Sequence, residues 1–371
     1  MRDGWRATTL GGVATLEYGK GLTERDRDGH GWPVYGSAGV VGHHSTPLVD
    51  RAPVIIIGRK GTAGSIHWSD TPCWPIDTTY FVKPLASCEP RYLFLALESA
   101  GLQDLCAQTG VPGLNRERAY QAELLLPPLD EQRRIVDLIA AVDGAIEAAD
   151  SLRDTCTRTL RSLGESAWLS ESFRTLNDLG VGVTGGTPST TNAGYWNPPS
   201  VPFITPGDIG VDLFISSAAR RISTDGAAVS RVFPPHSVLQ VCIGATIGKV
   251  GILARPATCN QQINVLLGLE DHDALFLALT LAAPSGMRYV LDSAGKTALP
   301  LLSKSRWLEL KVPWPDAGLR QRTAQVASSL EEIRQNAASV ATRLRTVRSA
   351  LLADLLSGDH EIPTSYDEVM A

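Results

Sequence analysis

Several short stretches of this 371-residue chain carry residue types that do chemistry elsewhere. Gly58-Arg59-Lys60-Gly61-Thr62-Ala63-Gly64 is a basic glycine turn, and Gly244-Ala245-Thr246-Ile247-Gly248-Lys249 is a matching one whose composition resembles a phosphate-binding loop. The second has three residues between its glycines, no Ser or Thr after Lys249, and a strand-like run where a nucleotide loop needs a helix. It reads as a tight β-turn. Asn197-Pro198-Pro199-Ser200 contains the Asn-Pro-Pro core with which amino-methyltransferases hold a target amine. Ser200 stands where an aromatic would stack on the base, and no glycine-rich strand–turn–helix precedes it, so it reads as a loop beside Tyr195-Trp196. The seven histidines, His43-His44 included, never fall at helix-spaced metal positions. Cys106 and Cys156 have no evident His partner, and no nucleophile elbow is present. The chemistry left to the chain is binding.

The elements that must position these turns occur twice. In residues 1–128, Pro53-Val54-Ile55-Ile56-Ile57 predicts a strand, the basic glycine turn follows, and Ser65 to Trp68 predicts its return. Arg91 to Gln108 reads as a helix, Gly110 to Asn115 as a loop, and Glu123 to Pro128 as a last strand. In residues 169–316, Ser237 to Ile243, the turn Gly244–Lys249 and Val250 to Leu253 repeat the plan. Leu93-Phe94-Leu95-Ala96-Leu97 returns as Leu275-Phe276-Leu277-Ala278-Leu279 at the same place in the order.

A proline-free stretch follows each block. Residues 129–168 open with Pro127-Pro128, with Asp130 expected as N-cap and Glu131 in the first turn. Ile135, Leu138, Val142, Ala145, Ala149, Leu152, Cys156, Thr159 and Leu163 then recur at steps of three and four, the seam of a long helix with one narrow apolar stripe. Residues 317–358 repeat the pattern through Val326, Leu330, Ile333, Ala337, Val340, Leu344, Val347 and Leu351, ending at Gly358, before a tail at 359–371. Stripes this thin need partners, so the two helices are expected to pair as an antiparallel coiled coil. The expected fold class is α+β: two similar mixed α/β domains separated by two long helices, an internal repeat with a pseudo-two-fold.

Hydrophobic residues make up 43% and mean hydropathy is near zero, as in a soluble globular protein; no run spans a bilayer. The six scattered cysteines read as reduced, mostly buried thiols of a cytoplasmic protein. Net charge is −5, which argues mildly against free-standing nucleic-acid binding. The acid is concentrated: residues 129–168 carry −3, against −1 for 1–128 and none for 169–317. A solvated acidic helix face accounts for that, with a partner-docking face as the alternative.

Taken in order, these strings resemble the specificity subunit of type I restriction–modification systems over essentially the whole chain. The carriers are Gly185-Gly186-Thr187-Pro188-Ser189, Tyr195-Trp196 and Val201 to Ile209 in the second block, and Trp5 to Leu10 and Pro33-Val34-Tyr35-Gly36-Ser37 in the first. Both glycine turns, Asn260-Gln261-Gln262 and the junction Leu126-Pro127-Pro128-Leu129-Asp130-Glu131-Gln132 complete the set. The first block lacks the Thr-Pro-Ser element, and the second junction reads Leu319-Arg320-Gln321.

The resemblance implies a DNA-binding subunit without catalytic residues, whose two target-recognition domains read a split asymmetric site in double-stranded DNA. The helices would act as spacer and as docking surface for methyltransferase subunits, with a restriction/translocase subunit as a further partner. S-adenosylmethionine, ATP and Mg are then expected on those partners, and no cofactor, metal or membrane contact on this chain. Base reading needs paired donors and acceptors on loops. The expected DNA contacts are Arg25, Arg27, His30, Tyr35, Ser37, Arg59 and Lys60, with Arg116 and Arg118 on the backbone. In the second domain they are Thr187, Ser189, Thr190, Asn192, Tyr195, Lys249, Gln261, Gln262, Lys296 and Lys304. An adaptor of another phage-defence complex with this fold, or a free-standing enzyme using a cleft between the domains, stays open as an alternative.

Overall fold

The computed structural model describes residues 4–85, 88–106, 113–210, 212–295, 300–360 and 362. The chain divides into two compact units, one of residues 1–147 with 341–371 and one of 148–340. Both long helices therefore belong to both units: the central helix, Leu129–Ala167, and the C-terminal helix, Ala317–Ser357.

In the first unit the run Val54–Gly58 is buried throughout, which a strand survives only between neighbours on both sides. Thr79–Pro84 and Ile66–Ser69 flank it, and Ala14–Tyr18 completes a four-stranded antiparallel sheet. A smaller sheet pairs Trp32–Gly36 with Gly39–His44 and Trp74–Pro75. A ribbon of Arg6–Thr9 and Glu123–Leu126 brings the chain to the central helix.

In the second unit the buried strand Val238–Val241 lies between Ile263–Leu267 and Val250–Leu253, with Val181–Thr184 and Phe214–Ile215 at the edges. Val201–Ile204 pairs with Arg220–Ile222 and Thr258–Cys259, and a ribbon of Phe173–Thr175 and Lys311–Pro313 leads into the C-terminal helix. Apart from the added edge strand, the order of pairing is that of the first unit.

Within each unit one half of each long helix joins the core. Ile135 and Ile139 share the first core with Leu93, Leu97, Leu352 and Leu355. Leu160 shares the second with Phe276, Trp307, Ala324 and Ala327. The halves meet in opposite order along the chain, so the helices pair antiparallel within each unit. Ile135, Cys156 and Ala337 of the expected seams are buried, and other positions shift by a residue or more. Ile139, Ile146 and Leu160 are buried, while Ala145, Leu152 and Thr159 are exposed. The faces are about 100° apart. Both are apolar, so sequence alone does not choose between them; the packed heads do. On the C-terminal helix Val326, Ile333, Val340 and Val347 are 43–52% exposed, and the buried face is made by Ala324, Ala327, Glu331, Ala337, Ala341, Leu352 and Leu355.

Other expectations also shift. The helix read over 91–108 is Pro90–Ser99, ending before Gly101, which sits at φ +62°; the segment from 107 to 112 lies outside the described residues. The central helix begins two residues earlier than an Asp130 cap would place it: the Pro128 carbonyl accepts from Gln132 N at 3.0 Å, and Asp130 sits in the first turn. At the second helix Asp316 is the cap, its carboxylate accepting from Leu319 N at 3.0 Å.

The two helix junctions solve one problem with different residues. Fully buried Gln132 donates to the Pro127 carbonyl at 2.9 Å and accepts from Glu89 N at 2.7 Å, tying helix start to the head. At the second junction Arg320 donates to the Pro315 carbonyl at 2.6 Å and to the Asp273 carboxylate at 2.7 and 3.3 Å. The Leu-Arg-Gln sequence thus keeps the tie by using Arg320, five residues after its proline as Gln132 is. Gln132→Ala leaves two buried backbone groups unpaired, and about 1–3 kcal/mol of unfolding free energy should be lost in denaturant titration of the full chain. An unchanged midpoint would remove Gln132 from this role.

Candidate nucleic-acid interface

The glycine turns occupy equivalent frames. In the first unit Gly64 N donates to Gly58 O at 2.8 Å, Leu114 N donates to Arg59 O at 2.9 Å, and Lys60 bridges to Gly113. In the second unit Gly248 N donates to Val241 O at 2.9 Å, Leu302 N donates to Cys242 O at 2.9 Å, and Ile243 bridges to Leu301. Gly64 has no alternative: at φ +79° any Cβ would lie 2.7 Å from Gln103 N. Gly244–Lys249 closes by Ile247 N to Gly244 O at 3.1 Å and feeds a strand, so it is the β-turn expected. Asn197–Ser200 is a loop whose Ser200 N donates to Ile222 O at 2.8 Å, closing the smaller sheet.

Around the first turn the structure gathers Arg59, Lys60 and Arg116 into an open hollow of about 310 Å³ with Tyr18 and Tyr80. Arg59 donates to the Asp77 carbonyl at 3.0 Å, and Arg116 begins a short helix capped by Asn115. The hollow's inner wall is fixed by the Tyr80 hydroxyl, which donates to Leu114 O at 3.0 Å; burial raises that phenol above its ordinary range. Arg118 is exposed on the same short helix.

The other expected contacts of the first unit divide. Arg25 and His30 are exposed on the loop before Trp32. Arg27 instead staples that loop, donating to Val41 O at 3.0 Å and Leu22 O at 3.3 Å. Ser37 accepts at its carbonyl from His67 at 3.0 Å and from the Ser65 hydroxyl. Tyr35 is a core residue: it is buried with Val54, Ile56 and Cys73, and its hydroxyl donates to Trp68 O at 3.2 Å. It does not present its side chain at the surface, because the strand is buried from Val34 through Gly36.

In the second unit Thr187 donates to the Gln261 side chain at 2.5 Å, joining two expected contacts at one exposed place. Gln262 accepts from Asn260 at 2.9 Å and is half-buried. Ser189 and Thr190 are exposed, with Trp196 donating to Ser189 O at 3.2 Å; Asn192 caps the turn that carries half-buried Tyr195. Lys249 lies along Gly210, and Lys304 is exposed at the start of a short helix capped by Ser303. Lys296 lies outside the described residues. Sequence reading missed Tyr18, and also Arg220, whose guanidinium stacks on Trp196 at 4.5 Å. The signal for both was an aromatic or cation at the end of a strand beside an expected contact.

Among the described residues no group of His, Cys, Asp or Glu could hold a metal, and no single helix is long and apolar enough to cross a membrane. Burial pushes the thiols up, Cys73 to about 11 and Cys88, Cys242 and Cys259 to about 12. These groups are protonated at pH 8, where only thiolates attack.

Three comparisons bear on this geometry. A family profile described as the type I restriction modification DNA specificity domain matches residues 2–153. The chain is similar to the type I restriction enzyme HindI specificity subunit of Haemophilus influenzae, 31% identical over 190 residues, covering 50% of this chain and 41% of that one. It is 28% identical over 165 residues to the MjaIX specificity subunit of Methanocaldococcus jannaschii, covering 43% and 38%. The matched stretch thus spans about two fifths of each of these relatives. The crystal structure of a type I restriction–modification S subunit from M. genitalium shares the fold, with a TM-score of 0.67 over 97% of both chains at 14% identity. A structure from work on complex assembly and conformational transition of the type I system shares it with a TM-score of 0.58 at 18% identity, over 97% and 99%.

In the folded chain at pH 8 a thiol reagent should titrate Cys106, the one cysteine not fully buried, well ahead of the other five. Fast loss of two or more thiols, mapped by mass spectrometry, would contradict this burial.

Proposed function

We propose, from the match of residues 2–153 to the profile of the type I restriction modification DNA specificity domain, that this chain is the DNA-reading subunit of such a system. The observation that carries the reading is the repeated glycine-turn frame. Each unit presents one beside a short helix that starts with a cation, Arg116 in one and Lys304 in the other. The two units act as diverged target-recognition domains, related as a pseudo-two-fold repeat by their common strand order. Because their linings differ, each reads a different half of a split asymmetric site in double-stranded DNA. The long helices that belong to both units set the unread gap, as dimer geometry sets half-site spacing in symmetric readers.

The domain boundaries expected from sequence, 1–128 and 169–316 for the two heads, mark where the reading loops lie. The packed units extend further, since each takes in helix from both struts. Methylation of a flipped adenine, and ATP-driven cleavage, belong to partner subunits that bring S-adenosylmethionine, ATP and Mg. A surface for such a partner is at hand. Leu319, Val326, Ile333 and Val340 stand seven residues apart on the C-terminal helix and are 43–51% exposed, an apolar stripe that a partner helix would cover.

The experiment is a gel shift with the assembled methyltransferase on a duplex carrying the site found by sequencing methylated adenines in the host. Arg59→Ala with Lys60→Ala should weaken binding and flatten its salt dependence, with subunit assembly intact. Unchanged binding would strike this turn from the interface. Ile333→Asp with Val340→Asp should do the reverse, lowering co-purification of the methyltransferase subunits about tenfold or more while helix content by circular dichroism holds. Full recovery of the partner would place docking elsewhere.

A further inference from the structure

We propose that Tyr18, Arg59 and Arg116 form a cup that grips a phosphodiester of the DNA, with Tyr18 as the positioning residue for both guanidinium groups. The proposal rests on the DNA-reading function above and assigns its first unit a specific anchor. Tyr18 ends the strand Ala14–Tyr18 and is 48% exposed. The Arg59 guanidinium carbon lies 4.9 Å from its ring centre and that of Arg116 5.2 Å. Arg59 is also 5.9 Å from the Tyr80 ring, which lies 5.1 Å from Tyr18. Two cations drawn to one ring repel each other, and the electron-rich ring offsets only part of that cost. Lys60 adds a third positive charge at the rim.

Anionic compensation inside the protein is thin. Among the described residues no carboxylate pairs with Arg59 or Lys60. Arg116 has Glu117 at 3.7 Å from Nε, beyond hydrogen-bond reach, and that Nε is buried without an acceptor among the described residues. The hollow therefore holds more positive charge than its own acids neutralise. A phosphodiester supplies the missing charge with two oxygens, one for each guanidinium fork.

The second unit shows that the fold does not require this lining. Strand registers and turn bonds place Cys242 where Arg59 stands, Ile243 where Lys60 stands and Asn264 where Tyr80 stands. Thr184 ends the strand in place of Tyr18, donating to Asn264 at 2.8 Å, and Lys304 replaces Arg116. The same backbone closes without an aromatic and with one cation in place of three. What the frame does not need, the ligand explains. A phosphate contact fixes register on the duplex and carries no sequence information, so this anchor positions the first head while its neighbours read.

The test uses the full chain assembled with its methyltransferase subunits and measures affinity for cognate and scrambled duplexes from about 50 to 300 mM salt. Tyr18→Ala removes the ring that both guanidiniums share. It should weaken binding about tenfold on both duplexes and lower the magnitude of the salt slope by about one to two. Tyr18→Phe, which keeps the ring, should restore affinity and slope. Thermal melting of each variant checks folding, and a Tyr18→Ala chain that melts early passes the decision to Arg116→Ala, whose expected losses are the same in kind. Wild-type affinity and slope in Tyr18→Ala would overturn the cup, as would a loss confined to the cognate duplex with an unchanged slope, which marks base reading. A wild-type complex with no preference between the duplexes would sink the DNA-reading function itself, a distinguishable failure.

Discussion

A helix of 39 residues is about 58 Å long, and a stripe one or two side chains wide cannot hold such a rod together in water. That constraint organises the whole chain. Each unit is completed by half of each long helix, and ionic ties add direction to the apolar contact. In the first unit Arg348 of the C-terminal helix reaches Asp143 of the central helix at 2.5 Å and Glu98 of the head at 3.6 Å. In the second, Arg334 pairs with buried Glu331 at 2.7 Å and with Asp212 of the head at 2.5 Å, while Glu331 also accepts from Leu213 N at 3.3 Å. Partly buried pairs of this kind contribute little net energy once desolvation is counted. Their value is geometric, because an Arg with two carboxylates on different elements is satisfied in one register only. The reading loops of each head are thereby tied to a defined turn of helix.

With register set by the helices, the heads are free to differ in what they display. The paired solutions at Gln132 and Arg320 show how far side chains drift while a backbone task is kept: an amide and a guanidinium both cap a proline carbonyl and hold the start of a head helix, Pro90–Ser99 in one and Asp271–Ala282 in the other. The glycine turns show the complementary case, in which the backbone task is kept and the lining is released. Arg59 and Cys242 both serve the turn through a carbonyl that accepts from Leu114 or Leu302, and Arg59 adds a side-chain bond to the Asp77 carbonyl. A turn that closes through its main chain in both units tolerates different side chains at this position.

This division explains what could be read from sequence. Element order, both helices, both glycine turns and the Asn-Pro-Pro loop were legible because glycine, proline and β-branched runs act locally. The helix seam was only partly so, since Leu138-Ile139 and Ala145-Ile146 offer two adjacent apolar faces, and tertiary packing buries Ile139 and Ile146 more fully. Tyr35 was misplaced because its strand is buried from Val34 through Gly36 by contacts distant in sequence, Tyr35 meeting Val54, Ile56 and Cys73. Arg27 looked like a free cation, but its two terminal nitrogens are held by Leu22 and Val41 carbonyls that no local pattern announces. Tyr18 was passed over because its neighbours in the cup, Arg59 and Arg116, are far away in sequence and meet it only through strand pairing and a returning loop.

The charge distribution then takes on a physical meaning. The chain is acidic overall, with −3 on residues 129–168, and yet the first head carries a hollow with three cations. At physiological salt the Debye length is about 8 Å, so acid on the exposed helix face repels DNA only where the duplex passes within that distance. A cup of local positive charge can therefore hold a phosphate despite the unfavourable total. It does not supply the long-range attraction that brings DNA in, which scales with the number of neutralised phosphates. The apolar stripe on the C-terminal helix points to the source of the remainder. In the proposed assembly a partner that covers Val326, Ile333 and Val340 would bring its own surface beside the duplex, and a division in which the partner supplies bulk affinity would leave this chain's few cations to determine register. Weak intrinsic attraction has a use in that arrangement, because a reader that binds any phosphate backbone tightly cannot search for its site.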